Sequence, residues 1–124
     1  MARILLIEDN DSVRTMLAEH LALAGHTVIE AGDGREGLAR FRQTGADLVI
    51  TDIVMPETDG LEVLMALRET HPSVKIIAIS GAGWDSGAGY LQMAKHLGSA
   101  KVLLKPFPPA VLIAAVNELL AGDR

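Results

Sequence analysis

The chain has 124 residues, no cysteine and a formal net charge of −5, and 49% of its residues are hydrophobic. This length suits one domain, the hydrophobic content excludes an intrinsically disordered chain, and the lack of cysteine excludes disulfides and thiolate zinc sites. The acidic balance disfavours direct nucleic-acid binding, and no apolar stretch has the length of a membrane span. We therefore expect a single cytoplasmic domain without membrane or nucleic-acid contact.

Short aliphatic runs alternate with amphipathic stretches along the whole sequence. The runs predict five strands, at Arg3–Ile7, Thr27–Ala31, Leu48–Thr51, Lys75–Ile79 and Lys101–Leu104. The amphipathic stretches predict five helices, at Ser12–Ala24, Gly34–Gln43, Leu61–Thr70, Tyr90–Leu97 and Pro108–Ala121. Strands that alternate with helices through short connections form parallel sheets with right-handed crossovers. The sequence therefore predicts an α/β fold with a doubly wound, five-stranded parallel sheet.

The first predicted helix carries signals for both its start and its buried face. Asp11 or Ser12 is the predicted N-cap, because both side chains can accept a hydrogen bond from a free backbone amide. The predicted apolar face comprises Val13, Met16, Leu17, His20, Leu21 and Ala24.

Polar side chains follow four of the five predicted strands. They are Glu8 and Asp9, then Asp52, Ser80 and Lys105. Because ligands bind at the carboxyl ends of strands in open α/β sheets, we expect these side chains at one end of the sheet. If the first and third strands are neighbours, three carboxylates converge there. Two such charges about 5 Å apart cost about 3 kcal/mol at an effective dielectric of about 20, so we expect a cation among them.

The donor set at this end of the sheet consists of oxygen atoms, which favours a hard cation. Mg²⁺ fits best, because it uses few carboxylates, keeps waters and commonly bridges to a phosphoryl oxygen. Lys105 and Ser80 can then bind further phosphoryl oxygens. Ser80 would need a general base to accept a phosphoryl group, whereas Asp52 is already ionised. Asp52 also ends an apolar run, and we therefore predict that it is the acceptor.

Four segments occur in the order, and after the strands, that are typical of one family. They are Ile7-Glu8-Asp9-Asn10-Asp11, Ile50-Thr51-Asp52-Ile53-Val54-Met55-Pro56 with Asp59-Gly60, Ile79-Ser80-Gly81 and Lys105-Pro106-Phe107. Together they resemble the response-regulator receiver domains of two-component signalling, and the resemblance covers essentially the whole chain. It implies a flavodoxin-like fold with strand order 2-1-3-4-5. It also implies one receiver domain over residues 1–124, with no output domain.

The resemblance assigns metal-binding roles to four residues. It implies that Asp52 is the phosphoacceptor and that Asp9 and Asp52 bind Mg²⁺ directly. Glu8 then reaches the ion through water, and Val54 offers its backbone carbonyl.

The resemblance also implies how the phosphoryl group is bound and transferred. Ser80 is similar to the switch hydroxyl of the family, and Lys105 to the lysine that contacts the phosphoryl group, followed by a cis bond to Pro106. The implied donor is a phosphohistidine on a sensor histidine kinase or a histidine phosphotransfer protein. The implied output is a changed surface for a downstream protein, with the chain as a monomer or a weak phosphorylation-dependent dimer. Such a domain is no enzyme beyond its own phosphorylation and dephosphorylation.

The sequence departs from the family in one region. Many receivers carry an aromatic residue three positions before the lysine, where this chain has Val102. The glycine-rich segment Gly81–Gly89 is also about three residues longer than is typical of the family. We expect its rearrangement to replace the aromatic switch, which predicts that the emission of Trp84 changes on phosphorylation.

Three other functions fit parts of the sequence. A degenerate receiver that acts as a constitutive interaction module is favoured by Val102 but disfavoured by the retained acidic and basic side chains. A small aspartyl-phosphate phosphatase would carry a second aspartate two residues after the acceptor, where this chain has Val54. Nucleotide binding is the third, because the segment Gly81–Ser86 approaches a dinucleotide-binding fingerprint. It is disfavoured, since serine replaces the third glycine and the segment follows the fourth strand rather than the first.

Overall fold

The computed structural model describes residues 2–52, 60–80 and 101–121. In chain order its elements are β1 (Arg3–Ile7), α1 (Asp11–Leu23), β2 (Thr27–Ala31), α2 (Gly34–Thr44), β3 (Leu48–Asp52), α3 (Gly60–Thr70), β4 (Lys75–Ser80), β5 (Lys101–Leu104) and α4 (Pro109–Ala121). The five strands and four of the predicted helices are confirmed to within one residue at each end. The predicted helix Tyr90–Leu97 and the segment Gly81–Gly89 lie outside the described residues. Within those ranges, no helix is long and apolar enough to cross a membrane.

The strands form one parallel sheet in the order β2-β1-β3-β4-β5, which confirms the doubly wound topology. Ile7, the last residue of β1, pairs with Ala31 of β2 on one side and with Thr51 of β3 on the other. Chain segments that leave β1 and β3 therefore start next to each other at one end of the sheet. We call this the carboxyl end of the sheet.

The core lies on both faces of the sheet, as expected for parallel strands covered by helices. Along β1, Ile4 and Leu6 pack with buried residues of α1 and α4, whereas Leu5 and Ile7 pack with those of α2 and α3. Gly37 lets α2 lie close to β1, because a side chain at this position would overlap Ile7. Packing on both faces fixes the end of β1, and with it the position of the polar residues that follow.

The buried face of α1 differs from the prediction. Met16 and His20 are exposed, and Leu17, Ala18 and Leu21 make the buried face. Seven of the thirteen residues in α1 are apolar and surround much of the helix, so several faces of similar hydrophobicity were possible. The packing of α1 against β2 and α4 selects the observed face.

Candidate functional site

Three carboxylates meet at the carboxyl end of the sheet. Glu8 and Asp9 follow β1, and Asp52 ends the neighbouring strand β3. Oxygen atoms of these three side chains lie within 4.8 Å of one another. The predicted convergence is therefore present, and it follows from the parallel pairing of β1 with β3.

Glu8 is a buried carboxylate whose polar atoms have partners. Its side-chain Oε1 accepts a hydrogen bond from Lys105 Nζ at 2.8 Å, and its Oε2 accepts one from the backbone N–H of Asn10 at 3.1 Å. The residue is only 2% exposed. Burial raises the pKa of Glu8 above its ordinary value, because an ionised carboxylate loses hydration there, although the bond from Lys105 opposes the shift.

Asp52 is the second buried carboxylate, with 5% of its surface exposed. One side-chain oxygen, Oδ2, accepts a hydrogen bond from Lys105 Nζ at 2.9 Å. The backbone carbonyl of Asp52 accepts a bond from the Thr51 hydroxyl at 3.0 Å. The register opposite Ile79 holds Asp52 within the sheet, so this carboxylate is presented from a fixed strand end rather than from a loop.

Lys105 joins the two buried carboxylates across three elements of the fold. Its ammonium lies between Glu8 and Asp52, and 24% of the side chain is exposed. Burial lowers the pKa of Lys105, but the hydrogen bonds to both carboxylates outweigh this effect, and the net shift is upward. The ammonium is therefore a charged donor at neutral pH. The predicted cis peptide bond from Lys105 to Pro106 is present.

The charge at this site is unbalanced. Among the described residues, the carboxylates of Glu8, Asp9 and Asp52 meet the Lys105 ammonium, which leaves two negative charges without compensation from Lys105. Each repulsive pair about 5 Å apart costs about 3 kcal/mol at an effective dielectric of about 20. The three oxygen donors therefore fit a hard divalent cation such as Mg²⁺, held by Glu8, Asp9 and Asp52.

Two neighbouring residues, Asn10 and Arg14, contribute to the site in ways that the sequence pattern does not indicate. Asn10 is the N-cap of α1, since its Oδ1 accepts a hydrogen bond from the Val13 amide at 3.0 Å. The predicted N-cap at Asp11 or Ser12 is therefore wrong. Arg14 donates from Nη1 to the backbone carbonyl of Glu8 at 2.8 Å. The three-residue spacing between Asp11 and Arg14 predicts a helical ion pair, but no local pattern indicates the contact with Glu8.

The remaining predicted site residues are described only in part. Ser80 ends β4 opposite Leu104 of β5, so its backbone also lies at the carboxyl end of the sheet. The described part of Ser80 is its backbone and does not include its side chain. Val54 and Trp84 lie outside the described residues. Val102 is half-buried, pairs with Ala78 in the sheet, and packs against the core on the side of α2 and α3.

Comparisons with known proteins agree with this geometry. The chain matches the family described as the response regulator receiver domain over residues 4–117. It is 40% identical over 121 residues to the sensor kinase CckA of Brucella abortus, covering 96% of this chain but 12% of that kinase. It is 31% identical over 118 residues to the chemotaxis protein CheY of Thermotoga maritima, covering 94% of this chain and 96% of that protein. The chain therefore spans only a small part of some relatives and nearly the whole of others.

Solved structures show the same likeness in three dimensions. The chemotaxis protein CheY4 of Vibrio cholerae aligns with a TM-score of 0.84 at 30% identity, over 95% of this chain and 98% of that one. The receiver domain of NtrX from Brucella abortus aligns with a TM-score of 0.87 at 28% identity, over 95% and 98%. Given the match over residues 4–117, the topology and the acidic site, this chain belongs to the response regulator receiver domain family.

Proposed function

We propose that the chain accepts a phosphoryl group on Asp52 in a Mg²⁺-dependent reaction of a two-component phosphorelay. The observation that carries this proposal is the buried Asp52 carboxylate, which shares the Lys105 ammonium with Glu8 and lies beside Asp9. Burying an excess of negative charge is costly unless a cation or a charged reactant uses it. In a phosphoryl transfer site, the carboxylates bind the cation and accept the phosphoryl group, and the ammonium binds a phosphoryl oxygen.

In the proposed reaction, an Asp52 oxygen attacks the phosphorus of a phosphohistidine on a sensor histidine kinase or a histidine phosphotransfer protein. The new P–O bond forms as the P–N bond breaks, and the imidazole nitrogen keeps the electron pair and is protonated. Asp52 needs no general base, because a carboxylate oxygen attacks without first losing a proton to a neighbouring side chain. The product is an acyl phosphate on the end of β3.

The other site residues bind charge around this reaction. Glu8, Asp9 and Asp52 hold Mg²⁺, with the Val54 carbonyl as a further proposed ligand. When bound, Mg²⁺ supplies positive charge to the phosphoryl oxygens. The Lys105 ammonium is a charged donor within reach of the Asp52 carboxylate, and it can therefore bind an oxygen of the group that Asp52 receives.

The proposed output is a change of surface that a downstream protein recognises. Ser80 lies at the carboxyl end of the sheet, and its hydroxyl is the proposed group that responds to phosphorylation. Covalent addition of a phosphoryl group changes the charge of the site, and such a change can bias two conformations of neighbouring segments. This proposal assigns the chain a signalling role rather than the turnover of a separate substrate.

Acetyl phosphate provides a direct test, because this small acyl phosphate can replace the phosphohistidine donor. With Mg²⁺, intact mass spectrometry should show one added phosphoryl group on the wild-type chain and on Asp47→Asn. Asp47 is a suitable control, since it is an exposed aspartate at the opposite end of the sheet. Asp52→Asn should gain none, and chelation of Mg²⁺ should prevent the reaction in all variants. Unchanged labelling of Asp52→Asn would contradict the proposal.

A further inference from the structure

We propose that Arg14 is a positioning residue, which holds the turn between β1 and α1 in the form that lets Glu8 and Asp9 bind the cation. The inference rests on the proposed function, since it concerns the same metal site. Arg14 lies on α1, and among the described residues its hydrogen bonds and ion pairs go to Glu8, Asp11 and Glu30 rather than to Asp52 or Lys105. Its effect on the site is therefore exerted through the backbone of Glu8.

The guanidinium of Arg14 contacts three separate parts of the chain. Nη1 donates to the carbonyl oxygen of Glu8 at 2.8 Å, and Nη2 donates to Asp11 Oδ1 at 2.7 Å. Nε lies 3.3 Å from Glu30 Oε1 on β2. Only 18% of the side chain is exposed. Arg14 thus connects the end of β1, the first turn of α1 and the neighbouring strand β2.

The contact with the Glu8 carbonyl bears directly on Asp9. This carbonyl belongs to the planar peptide unit that joins Glu8 to Asp9, so fixing its oxygen also fixes the direction of the Asp9 N–H bond. The next amide along the chain, that of Asn10, is fixed by its hydrogen bond to the Glu8 side chain. Two hydrogen bonds thereby fix the backbone on both sides of Asp9, whose own side chain is exposed.

A lysine at position 14 could not make these three contacts together. The guanidinium is planar and has donors in several fixed directions, so it can serve three acceptors at once, whereas an ammonium is a compact charge on a flexible stem. Asp11 and Glu30 also supply two carboxylates for one guanidinium. Arg14→Lys therefore keeps the charge of this position but removes the geometry that the proposal requires.

The charge of Arg14 and its positioning role predict opposite effects on metal affinity. If Arg14 acted only as a charge near the acidic site, its removal would strengthen Mg²⁺ binding, because a repulsive cation would be lost. If it positions the turn, its removal weakens Mg²⁺ binding, because Glu8 and Asp9 become less well ordered. A purely structural contribution would lower the melting temperature and leave the Mg²⁺ dissociation constant unchanged.

The experiment compares Arg14→Met and Arg14→Lys with wild type and with Arg40→Met. Arg40 is a matched control, because it makes an exposed ion pair with Glu36 on α2, and Arg40→Met removes the same charge as Arg14→Met. Calorimetric titration with MgCl₂ should show dissociation constants raised about tenfold or more in both Arg14 variants, the size expected when an outer-shell partner is lost. Arg40→Met should stay within about twofold of wild type, given the weak effect of exposed pairs. Amide exchange of the metal-free protein should be faster at residues 8–11 in the Arg14 variants alone.

Each result discriminates between the possibilities. Tighter or unchanged Mg²⁺ binding in Arg14→Met overturns the positioning role while the proposed function stands. Wild-type affinity in Arg14→Lys shows that charge suffices, and this also overturns the role. If wild type itself binds no Mg²⁺, the proposed function fails, and unchanged exchange at residues 8–11 then also overturns the anchoring by Arg14. If Arg14→Met folds poorly, Glu30→Gln replaces it in the test. This variant removes the carboxylate that pairs with Arg14 Nε but keeps the guanidinium, and it should weaken Mg²⁺ binding by a smaller factor.

Discussion

The two ends of the sheet have polar contacts of nearly equal length, but the contacts differ in burial and in charge balance. At the amino end, the backbone N–H of Arg3 donates to Asp47 Oδ2 at 2.8 Å, and the Arg3 guanidinium donates to the Thr44 carbonyl at 2.8 Å. At the carboxyl end, Lys105 donates to Glu8 at 2.8 Å and to Asp52 at 2.9 Å. Distance alone therefore does not identify the functional end.

Burial and charge balance separate the two ends. Arg3 and Asp47 are exposed and bring one positive and one negative charge to the amino end. Glu8 and Asp52 are buried, and within the part of the chain that the structure describes they form, with Asp9, a group of three carboxylates around the Lys105 ammonium. An exposed pair contributes little to stability, whereas buried charge in excess has to be stabilised by a ligand or by protonation. The comparison predicts that substitutions at the carboxyl end affect activity and stability, and that matched substitutions elsewhere do not.

The largest effect is expected on the phosphorylation rate when Lys105 is replaced. Lys105→Met removes a charged donor beside Asp52, and the rate with acetyl phosphate should fall about 100-fold, as for loss of one stabilising donor in other active sites. Lys101→Met is the matched control, because Lys101 lies on β5 and pairs with Glu118. This control should react at close to the wild-type rate. Equal losses in the two variants would show that charge on β5, rather than contact with Asp52, sets the rate.

A smaller effect is expected on stability. Lys105→Met leaves two buried carboxylates without their shared partner, and the free energy of unfolding should fall by about 1 to 3 kcal/mol. Arg3→Met, at the exposed amino end, should change it by about 0.5 kcal/mol or less. Chemical denaturation with and without Mg²⁺ provides the measurement. Mg²⁺ should stabilise Lys105→Met more than wild type, and a smaller gain in the variant would contradict the assignment of the cation site.

The smallest effect concerns pH. Because burial raises the pKa of Glu8 above 4.5, the folded state binds this proton more tightly than the unfolded state. The resulting stabilisation is fully present below about pH 4.5 and is lost as the pH rises through the raised pKa. Glu8→Gln has no such proton to lose. In metal-free buffer, the free energy of unfolding of Glu8→Gln relative to wild type should therefore increase as the pH rises from about 4.5 towards neutrality. A difference that does not change with pH would contradict the raised pKa of Glu8.

The sequence predicted the strands well, because they depend on local patterns. Aliphatic runs marked the strands to within one residue, and the parallel order placed Glu8, Asp9 and Asp52 together. The contact between Lys105 and Glu8 could not be predicted in the same way, since it joins residues 97 positions apart and depends on side-chain conformation. The reach of Arg14 back to the Glu8 carbonyl is likewise a three-dimensional contact that no residue spacing indicates.

The buried face of α1 shows a second limit of the sequence. Alanines and leucines surround much of this helix, so hydrophobicity alone did not distinguish Ala18 from Met16 as a core residue. The choice depends on how closely α1 approaches β2 and α4, and a small residue such as Ala18 suits a close approach. Periodicity predicts that a helix is amphipathic, but packing partners decide the final rotation.

Localisation of the phosphoryl group to one side chain is the decisive measurement for phosphorylation of Asp52. After reaction with acetyl phosphate and Mg²⁺, the acyl phosphate can be reduced with borohydride, and peptides can be sequenced by mass spectrometry. We expect that the reduced aspartate is Asp52 and that Asp9, Asp11 and Asp47 are unmodified. Modification of another carboxylate, or a phosphoryl group that stays on Ser80 after this treatment, would contradict it.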